Sequence, residues 1–353
     1  MERTGKTKVA IVAAFPPPPG GMPRQAEMLA EILAREGAEV VRINTNPFGR
    51  RKPRWRRFRH LLSDLGRLRG ADLALVFAGS YASFFAFSAV PLLAARRYRV
   101  PAALMYKGGA APSFFRTWGW LVRPCSRMAR AVIVPGEFLR TVFDGLGVRA
   151  HVIPDVIDDK LFYRNDAAPP GKASLFVARN LEAIYGVDLA IAAFAEVRKA
   201  LPEAQLHIAG DGSLREKLEA AAERAAPGAV HFHGRLSPPE IAAHYRKATV
   251  AVNPARFDNH PNSVIEAMLC GTPVVAFRVG GLPYLVEDGV TGYLSPPGDV
   301  DSFARNIIRV HTDPAATAAV VDRAARSVTA FYWPYENPGY LDLILEAVRG
   351  NAV

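Results

Sequence analysis

Residues 8–44 read KVAIVAAFPPPPGGMPRQAEMLAEILAREGAEVVRIN, and they contain the pattern that decides the fold. An apolar run of strand length comes first, then a Pro/Gly loop, and then an amphipathic helix pattern that ends at Gly37. A second apolar run of strand length follows at once. Because two parallel strands need a crossover that a helix usually supplies, the segment predicts a strand–helix–strand unit.

The same alternation continues along the 353 residues, a length suited to two domains. It is interrupted by the polar, Pro/Gly-rich segment Tyr163–Lys172, which is typical of a linker, and it restarts at Ser174. The alternation predicts an α/β fold of two tandem doubly wound domains. The tail predicts a helix whose apolar face packs back on the first domain. The predicted segments are residues 1–163, 164–330 and 331–353.

The charge of the chain is divided unevenly. The formal net charge is +11, but residues 1–150 carry +16 and residues 151–353 carry −5. A basic first half implies an anionic partner for that half only. The two cysteines, Cys125 and Cys270, provide neither a disulfide framework nor the spacing of a zinc site, which favours a reducing, cytoplasmic setting.

Two stretches are tested as membrane or targeting segments. Residues 73–95 are uncharged and long enough for a bilayer span. They contain Gly79 and Pro91 and divide into a strand and an apolar helix, so a buried strand–helix unit is the favoured interpretation. The apolar run near the N-terminus is too short for a signal peptide, and we expect no secretion.

The most informative window is residues 253–294. A strand ends near Pro254, and a helix begins at about Asn262. The backbone amides of Ser263 and Val264 would lie free at the start of this helix, where the helix dipole and the amides favour a phosphate.

Two carboxylates, Asp258 and Glu266, flank that helix end. Carboxylates accept hydrogen bonds from sugar hydroxyls, so one on each side of a diphosphate suits a nucleotide sugar. The alternative is an Asx-type turn at Asp258 and an ordinary surface Glu266.

This window resembles the signature of the retaining glycosyltransferases of family 4, in which two acidic residues separated by seven others precede an A-x-x-x-G-x-P-V-V run. The resemblance covers nearly the whole chain and implies a GT-B fold, in which two Rossmann-like domains face a cleft. It also implies that Asp258 binds the donor hexose and Glu266 the ribose, although Asp stands here where Glu is commoner. The matching residues are Asp258, Glu266, Ala267, Gly271, Pro273, Val274 and Val275.

Further motifs extend the resemblance. SLFVARN is similar to the strand that carries the family's diphosphate Arg, VHFHGRL to its base-pocket strand, and the Pro/Gly loop to its glycine loop near the donor phosphate. Arg suits a diphosphate because its guanidinium offers a rigid fork of donors. The implied catalytic residues are Lys107, Arg179, Asp258 and Glu266, and the implied donor-binding residues are Gly20, Gly21, Gly234, Arg235, Asn262, Ser263 and Val264.

One departure from the family pattern concerns the second cation on the diphosphate. The family usually places a Lys before the Gly that follows the Arg, whereas this chain has Tyr185 before Gly186. The cation is therefore missing or supplied elsewhere. Lys107, near the place where family members often carry a His, is a candidate; the alternative is a solvated Lys at a strand end.

No metal or cofactor is expected. Asp299 and Asp301 mimic a metal-binding D-x-D motif, but they follow a turn and precede a helix, where Asp is a usual cap. His231 and His233 lie two apart on a predicted strand, with no third ligand apparent. No G-x-G-x-x-G follows the first strand, which argues against a dinucleotide-dependent dehydrogenase.

The basic charge is concentrated between Arg50 and Arg69, where nine Arg and Lys residues accompany a single acid, Asp64. Apolar residues recur there at helical spacing, a pattern typical of a helix at an anionic membrane surface. The alternative is that the apolar stripe packs on the domain's own sheet. No nucleic-acid-binding signature is visible. The predicted membrane-binding residues are Arg51, Lys52, Arg54, Trp55, Arg56, Arg57 and Arg59.

The resemblance therefore implies a metal-independent, retaining glycosyltransferase that moves a hexosyl residue from a nucleotide-diphosphate sugar to an acceptor. The expected acceptor is a lipid-linked glycan or another intermediate of the cell envelope or an exopolysaccharide. The expected location is cytoplasmic, on the inner face of the plasma membrane. The alternatives are a non-catalytic sugar- or lipid-binding subunit and a nucleotide-sugar epimerase.

Overall fold

The structure is a computed structural model and describes residues 6–16, 20–47, 54–165 and 172–350, with Arg54 described by its backbone alone. The strands are β1 Lys8–Ala13, β2 Glu39–Asn44, β3 Leu73–Ala78, β4 Ala102–Tyr106, β5 Ala131–Val134, β6 Ala150–Val152, β7 Asp155–Ile157, β8 Ser174–Ala178, β9 Gln205–Ala209, β10 Val230–Gly234, β11 Val250–Asn253, β12 Val274–Phe277, β13 Tyr293–Ser295 and β14 Tyr332–Pro334. The helices are α1 Gly21–Arg35, α2 Arg54–Asp64, α3 Ala82–Phe84, α4 Val90–Arg97, α5 Ala111–Ser126, α6 Glu137–Asp144, α7 Val187–Ala200, α8 Arg215–Ala225, α9 Pro238–Lys247, α10 Asn262–Leu269, α11 Leu282–Leu285, α12 Val300–Thr312, α13 Pro314–Ser327 and α14 Tyr340–Gly350.

The chain divides into two compact units. Unit 1 comprises residues 1–156 and 333–353, and unit 2 comprises residues 157–332. The sequence places these divisions a few residues away, after 163 and after 330. The difference has a packing cause, because Ile157, Phe162 and Tyr332 are buried in a hydrophobic core of unit 2. The predicted linker thus lies within unit 2, and its residues 166–171 lie outside the described part of the chain.

Unit 1 is built on a parallel six-stranded sheet in the order β2-β1-β3-β4-β5-β6. One face carries a core to which α2, α4, α5 and α6 contribute, and the other is covered by α1 and α14. All six residues of β3 are buried, which explains its unbroken apolar sequence, since a strand covered on both faces has no polar side.

Unit 2 has a parallel six-stranded sheet in the order β10-β9-β8-β11-β12-β13. Helices α7, α8 and α12 contribute to the core on one face, and α9, α10 and α11 to the core on the other. The strand order reverses between β8 and β11: β9 and β10 follow β8 on one side of the sheet, and β11, β12 and β13 follow on the other side. In open α/β sheets such a reversal leaves a crevice at the carboxyl ends of the two strands, where ligands bind.

The predicted fold class is confirmed: both units are parallel, doubly wound and Rossmann-like, and helix α14 packs on unit 1. The apolar stretch 73–95 forms β3, α3, a π-helical turn at Phe85–Ala89 and most of α4. Pro91 lacks the N–H that would continue regular α-helical bonding at this point. In the described residues, no helix has both the length and the apolar character needed to cross a bilayer.

Helix α14 gives a stability prediction for unit 1. Ile344 is fully buried, and Ile344→Ala is expected to lower the free energy of unfolding by about 2–5 kcal/mol, because it removes buried methyl groups and leaves a cavity. The four tryptophans, Trp55, Trp118, Trp120 and Trp333, all belong to unit 1, so urea unfolding followed by tryptophan fluorescence reports on that unit. The control is Glu346→Ala on the exposed side of α14; equal unfolding midpoints for the two variants would contradict the assigned packing.

Candidate functional site

An ion pair spans the reversal point of unit 2. Arg179 follows β8, and Asp258 lies in the loop after β11, so the carboxyl ends of two neighbouring strands bring them together. Arg179 Nη1 lies 2.8 Å from Asp258 Oδ2, and the two side chains are only 10% and 16% exposed. Arg179 is therefore not an exposed side chain at the end of its strand.

The guanidinium of Arg179 has N–H groups without a hydrogen-bond acceptor. Its Nε and Nη2 atoms are buried and have no hydrogen-bond partner, and its ring neighbour is Tyr185, with 5.7 Å between the guanidinium carbon and the ring centre. A buried unpartnered donor is costly, and groups of this kind mark places where a ligand supplies the acceptor. The position can therefore accept an anion in addition to Asp258.

Two glycines hold the Asp258 loop in place. Gly280 has φ +52°, its Cβ would lie 2.0 Å from the carbonyl oxygen of Asp258, and the amide of Gly281 donates to that oxygen at 2.9 Å. Gly186 has φ +61°, and its Cβ would lie 2.0 Å from the carbonyl oxygen of Pro254. Both positions thus require the left-handed backbone and the close approach that only glycine permits.

Helix α10 begins after Pro261, and no side chain caps it. The amide of Val264 donates to the carbonyl of Pro261 at 2.9 Å, which corrects the prediction of a free amide at Val264. The first turn is tightened by an i to i−3 bond, as is common at helix ends.

A tyrosine that the sequence analysis missed joins this site. Tyr245, on α9, is buried; burial and the negative charge of Glu266 raise the pKa of its hydroxyl well above the ordinary value, while Arg179 and a hydrogen bond with Ser263 lower it. The structure therefore brings the predicted residues Arg179, Ser263 and Glu266 close to Tyr245. The sequence signal for Tyr245 was weak, because a Tyr on the apolar face of a helix is usually a core residue. The pattern does not show which group its hydroxyl contacts.

The ends of β9 and β10 lie at the same edge of the sheet. Gly234 has φ +67°, and its carbonyl accepts from the amide of Gly210 at 2.6 Å. Arg235 Nε lies 3.6 Å from a carboxylate oxygen of Asp211, and both side chains are partly exposed. Gly234 and Arg235 therefore share this edge with Arg179, since a Cβ on Gly210 would collide with the carbonyl of Arg179.

The structure also supplies a cation beside the segment where the family's Lys is missing. Arg256 lies next to Gly186, and its Nη1 donates to the carbonyl of Ala183 at 2.9 Å. Its Nη1 and Nη2 also donate to the two carboxylate oxygens of Asp188, at 2.8 and 2.6 Å. This hydrogen-bonded pairing lowers the pKa of Asp188 and raises that of Arg256. The Arg179 guanidinium thus lies beside the ring of Tyr185, and the Arg256 guanidinium lies beside the next residue, Gly186.

Three of the residues predicted for the donor site and its chemistry lie in unit 1. Gly20 precedes α1 and Gly21 begins it, and a Cβ at Gly21 would meet no atom within 4 Å. Lys107 is not the solvated strand-end residue of the alternative interpretation, because its ammonium forms an ion pair with Asp155 and both side chains are 8% exposed. Its positive charge is therefore compensated within unit 1, and its role at the diphosphate stays a prediction.

The basic helix α2 has two faces. Phe58 and Leu61 on this helix, and Leu65 just after it, belong to the core region of unit 1. This agrees with the alternative that the apolar stripe packs on the domain itself. Trp55 is 54% exposed, and the guanidinium groups of Arg56 and Arg59 lie 5.3 and 5.8 Å from its ring centre.

The remaining predicted membrane-binding residues have different environments. Arg57 is turned inward, with its Nε 3.3 Å from the carbonyl of Thr45 and its guanidinium 4.8 Å from the ring of Phe87. Arg51, Lys52 and the side chain of Arg54 lie outside the described residues.

The structure gives different environments to the two sequence motifs that resemble metal ligands. The carboxylate of Asp299 accepts from the amide of Ser302 at 2.9 Å and so caps α12, as predicted for this D-x-D sequence. The sequence indicates no third ligand beside His231 and His233, whereas the structure places His207 and His244 beside His233. The sequence could not show this, because the three residues come from two strands and a helix.

Comparison with known proteins shows which families and structures this chain is similar to. The family model "Glycosyl transferases group 1" matches residues 171–313, which contain the ion pair and α10. D-inositol 3-phosphate glycosyltransferase of Segniliparus rotundus is 29% identical over 249 residues, which are 67% of this chain and 55% of that protein. Glycogen synthase of Mycobacterium tuberculosis is 33% identical over 183 residues, 51% of this chain and 44% of that protein. The chain spans about half the length of the curated relatives it matches.

Solved structures share the fold over almost the whole chain. Sucrose-phosphate synthase from Thermosynechococcus elongatus matches with a TM-score of 0.80 at 20% identity, covering 98% of this chain and 99% of that one. Anabaena HepE in complex with UDP-glucose matches with a TM-score of 0.75 at 20% identity, covering 97% and 99%. The chain thus shares the fold of these structures, and its residues 171–313 are similar to the group 1 glycosyl transferases.

The loop geometry gives a prediction that does not depend on activity. Gly280→Ala should destabilise unit 2 more than Gly289→Ala, although both positions have positive φ and each substitution costs about 1–3 kcal/mol for the backbone alone. Only at Gly280 does the added Cβ collide with the carbonyl of Asp258, whereas at Gly289 it meets nothing within 4 Å. Thermal unfolding followed by circular dichroism measures the difference, expected to be a further 1–3 kcal/mol or so. Equal losses would show that the Asp258 loop yields without cost.

Proposed function

We propose that this protein is a retaining glycosyltransferase that transfers a hexosyl residue from a nucleoside-diphosphate sugar to an acceptor. The observation that carries the proposal is the buried guanidinium of Arg179, which has two unpartnered N–H-bearing nitrogens at the reversal point of the unit 2 sheet and a carboxylate, Asp258, beside it. A guanidinium fork and a carboxylate are the groups that recognise phosphate oxygens and sugar hydroxyls. The names of the relatives and the UDP-glucose bound by HepE support a nucleotide-sugar donor.

The donor-binding roles follow the sequence resemblance. Arg179 would hold the diphosphate, Asp258 the hexose hydroxyls and Glu266 the ribose. Asn262 and Ser263, in the first turn of α10, would add the positive end of a helix dipole on the phosphate side.

Further residues complete the proposed donor site. Gly234 and Arg235 would border the base, and Gly20 and Gly21 would allow a close approach to the donor phosphate from the backbone. Arg256 is the candidate for the second cation, since its guanidinium lies next to Gly186 in the segment where the family usually places a Lys.

The proposed chemistry is electrostatic. Departure of the nucleoside diphosphate develops negative charge, and a preorganised guanidinium in a buried position stabilises such charge more strongly than water does. The carboxylate of Asp258 compensates the charge of Arg179, and a donor phosphate would supply acceptors for the Nε and Nη2 atoms that have no partner in the protein. Arg179 and α10 supply positive potential, and we propose that the transfer step needs no metal ion.

The acceptor is proposed to be a lipid-linked glycan or another anionic cell-envelope or exopolysaccharide intermediate at a membrane surface. The support is the +16 charge of residues 1–150 and the exposed group of Trp55, Arg56 and Arg59 on α2. Cations near an anionic leaflet bind it without inserting, and an interfacial Trp suits the headgroup region. The proposed location is the cytoplasmic face of the plasma membrane.

A second candidate function is a non-catalytic sugar- or lipid-binding subunit. Two observations favour it: Tyr185 replaces the usual Lys, and the charge of Lys107 is compensated by Asp155. A subunit of this kind would bind the nucleotide without releasing it from a sugar, so turnover separates the two functions.

The donor site predicts a specific loss of turnover. Arg179→Lys and Arg179→Ala should lower kcat by about 10²–10³-fold, the effect of removing one donor that stabilises a developing negative charge. Glu266→Gln should mainly raise the KM for the donor. The measurement is nucleoside-diphosphate release with a panel of uridine, guanosine and adenosine diphosphate sugars and lipid-linked acceptors.

The control is Arg224→Ala, which removes an exposed guanidinium from α8 of the same unit. If Arg179→Ala turns over like Arg224→Ala, the site assignment is wrong. If the wild-type protein binds nucleoside diphosphates but releases none from any donor, the subunit function replaces the transferase.

The membrane proposal predicts charge-dependent vesicle binding. Arg56→Ala/Arg59→Ala should weaken binding to anionic vesicles by roughly 30-fold, because each cation near an anionic surface contributes about 1 kcal/mol. Co-sedimentation at physiological salt measures this, with neutral vesicles as the reference. The matched control, Lys217→Ala/Arg224→Ala, removes the same charge from unit 2. Binding that is equal for anionic and neutral vesicles contradicts a membrane role for α2.

A further inference from the structure

We propose that His207, His233 and His244 form a binding site for one divalent transition-metal ion, with Zn²⁺ as the best match. The site would be separate from the proposed transfer chemistry, and it revises the sequence-based expectation of no metal. It rests on the placement of three imidazoles that no local pattern connects.

The sheet register brings the imidazoles to one surface. His207 on β9 lies opposite His231 on the edge strand β10, and His233 follows two residues later on the same side of β10. Helix α9 crosses this side and contributes His244, whose ring stacks on Phe176 at 4.9 Å and 13°. Three elements of unit 2 therefore converge on the cluster.

The distances suit a shared ion. One nitrogen from each of His207, His233 and His244 lies within 4.8 Å of the others, and His207 Nδ1 is 3.0 Å from His233 Nε2. Zinc–imidazole bonds of about 2.0–2.1 Å place tetrahedral ligands about 3.4 Å apart, so modest ring rotations complete the geometry. The ion would replace the hydrogen bond between these two nitrogens, and the ring that donates it would then carry its proton on its other nitrogen.

The chemistry of the cluster favours metal over protons. Burial and the neighbouring imidazoles lower the pKa of His207 to about 4, and burial lowers the pKa values of His233 and His244 as well, even though Glu240 opposes the effect at His244. These shifts favour the uncharged rings, whose nitrogen lone pairs can bind a metal ion. Neutral imidazole suits Zn²⁺, Ni²⁺ and Cu²⁺, whereas Mg²⁺ and Ca²⁺ prefer oxygen ligands.

A supporting residue and an entry route are present. His231 stacks on His207 with ring centres 5.0 Å apart, and its Nε2 lies 2.6 Å from Gln205 Oε1. Gln205 thus holds the ring of His231, which in turn limits the rotation of the His207 ring. His233 is exposed, so an ion can reach the cluster from solvent and keep a water molecule as its fourth ligand.

The site would link β9, the edge strand β10 and α9. Helix α9 also carries Tyr245, the residue after His244, which hydrogen-bonds with Ser263 at the proposed donor site. A bound ion would therefore stabilise the position of this helix. The expected consequence is a higher unfolding temperature of the protein with metal than without it.

The test uses the untagged full chain, freed of metal by chelation and titrated with CoCl₂. We expect one equivalent of Co²⁺ to bind and to give the visible absorption of a tetrahedral cobalt–imidazole site, which ZnCl₂ then displaces. His207→Ala, His233→Ala and His244→Ala should each weaken binding by more than about 10-fold, the lower end of the loss seen even for outer-shell partners. His231→Ala should retain one equivalent, and the control His311→Ala should bind like the wild type.

Because His233 is exposed, His233→Ala is the variant least affected by folding, and circular dichroism of the metal-free proteins verifies that each variant is folded. Zinc should raise the unfolding temperature of the wild type and of His311→Ala but not that of His233→Ala. The proposal is overturned if the wild type binds no stoichiometric Co²⁺ or Zn²⁺, or if the folded His233→Ala and His244→Ala variants bind the metal as tightly as the wild type. Neither result bears on donor turnover, which is measured separately.

Discussion

A buried guanidinium has to be compensated, and this requirement organises the carboxyl edge of unit 2. Arg179 obtains its compensation from Asp258, whose loop is held by Gly280 and Gly186 at positions where a Cβ would collide with backbone oxygens. The carbonyl of Arg179 in turn requires Gly210 at the end of β9. The sheet order makes the arrangement possible, because the reversal between β8 and β11 leaves room above two adjacent strand ends.

Unit 1 follows the same rule for buried charge but with a different result. Lys107 is compensated within its own unit by Asp155, so a residue that the sequence offers as a free cation becomes part of a closed ion pair. On α2, by contrast, Arg56 and Arg59 remain at the surface around Trp55, and their charge is available to solvent or to an anionic partner. Exposure, and not the number of cations, distinguishes the two cases.

Most of the fold could be predicted because the strands of a parallel sheet covered on both faces are continuous apolar runs, as β3 and β12 show. The site was predicted in part. Arg179 and Asp258 were each predicted as donor-site residues, but their ion pair could not be predicted, because it depends on β8 and β11 being neighbours. Tyr245 was missed because an amphipathic helix pattern indicates which face is buried and not which atoms it meets. The division between the units was misplaced by a few residues because Phe162 packs inside unit 2.

The sequence by itself determined the alternation of strands and helices, the two-domain organisation and the uneven charge, since each depends on local periodicity or on composition. Only the tertiary structure decided which charges are paired, which face of α2 is exposed, and that His207, His233 and His244 lie together. The physical reason is that distances between residues far apart in the chain depend on strand order and helix packing. A local sequence pattern fixes the direction of a side chain relative to its own strand or helix but not the neighbours that it meets.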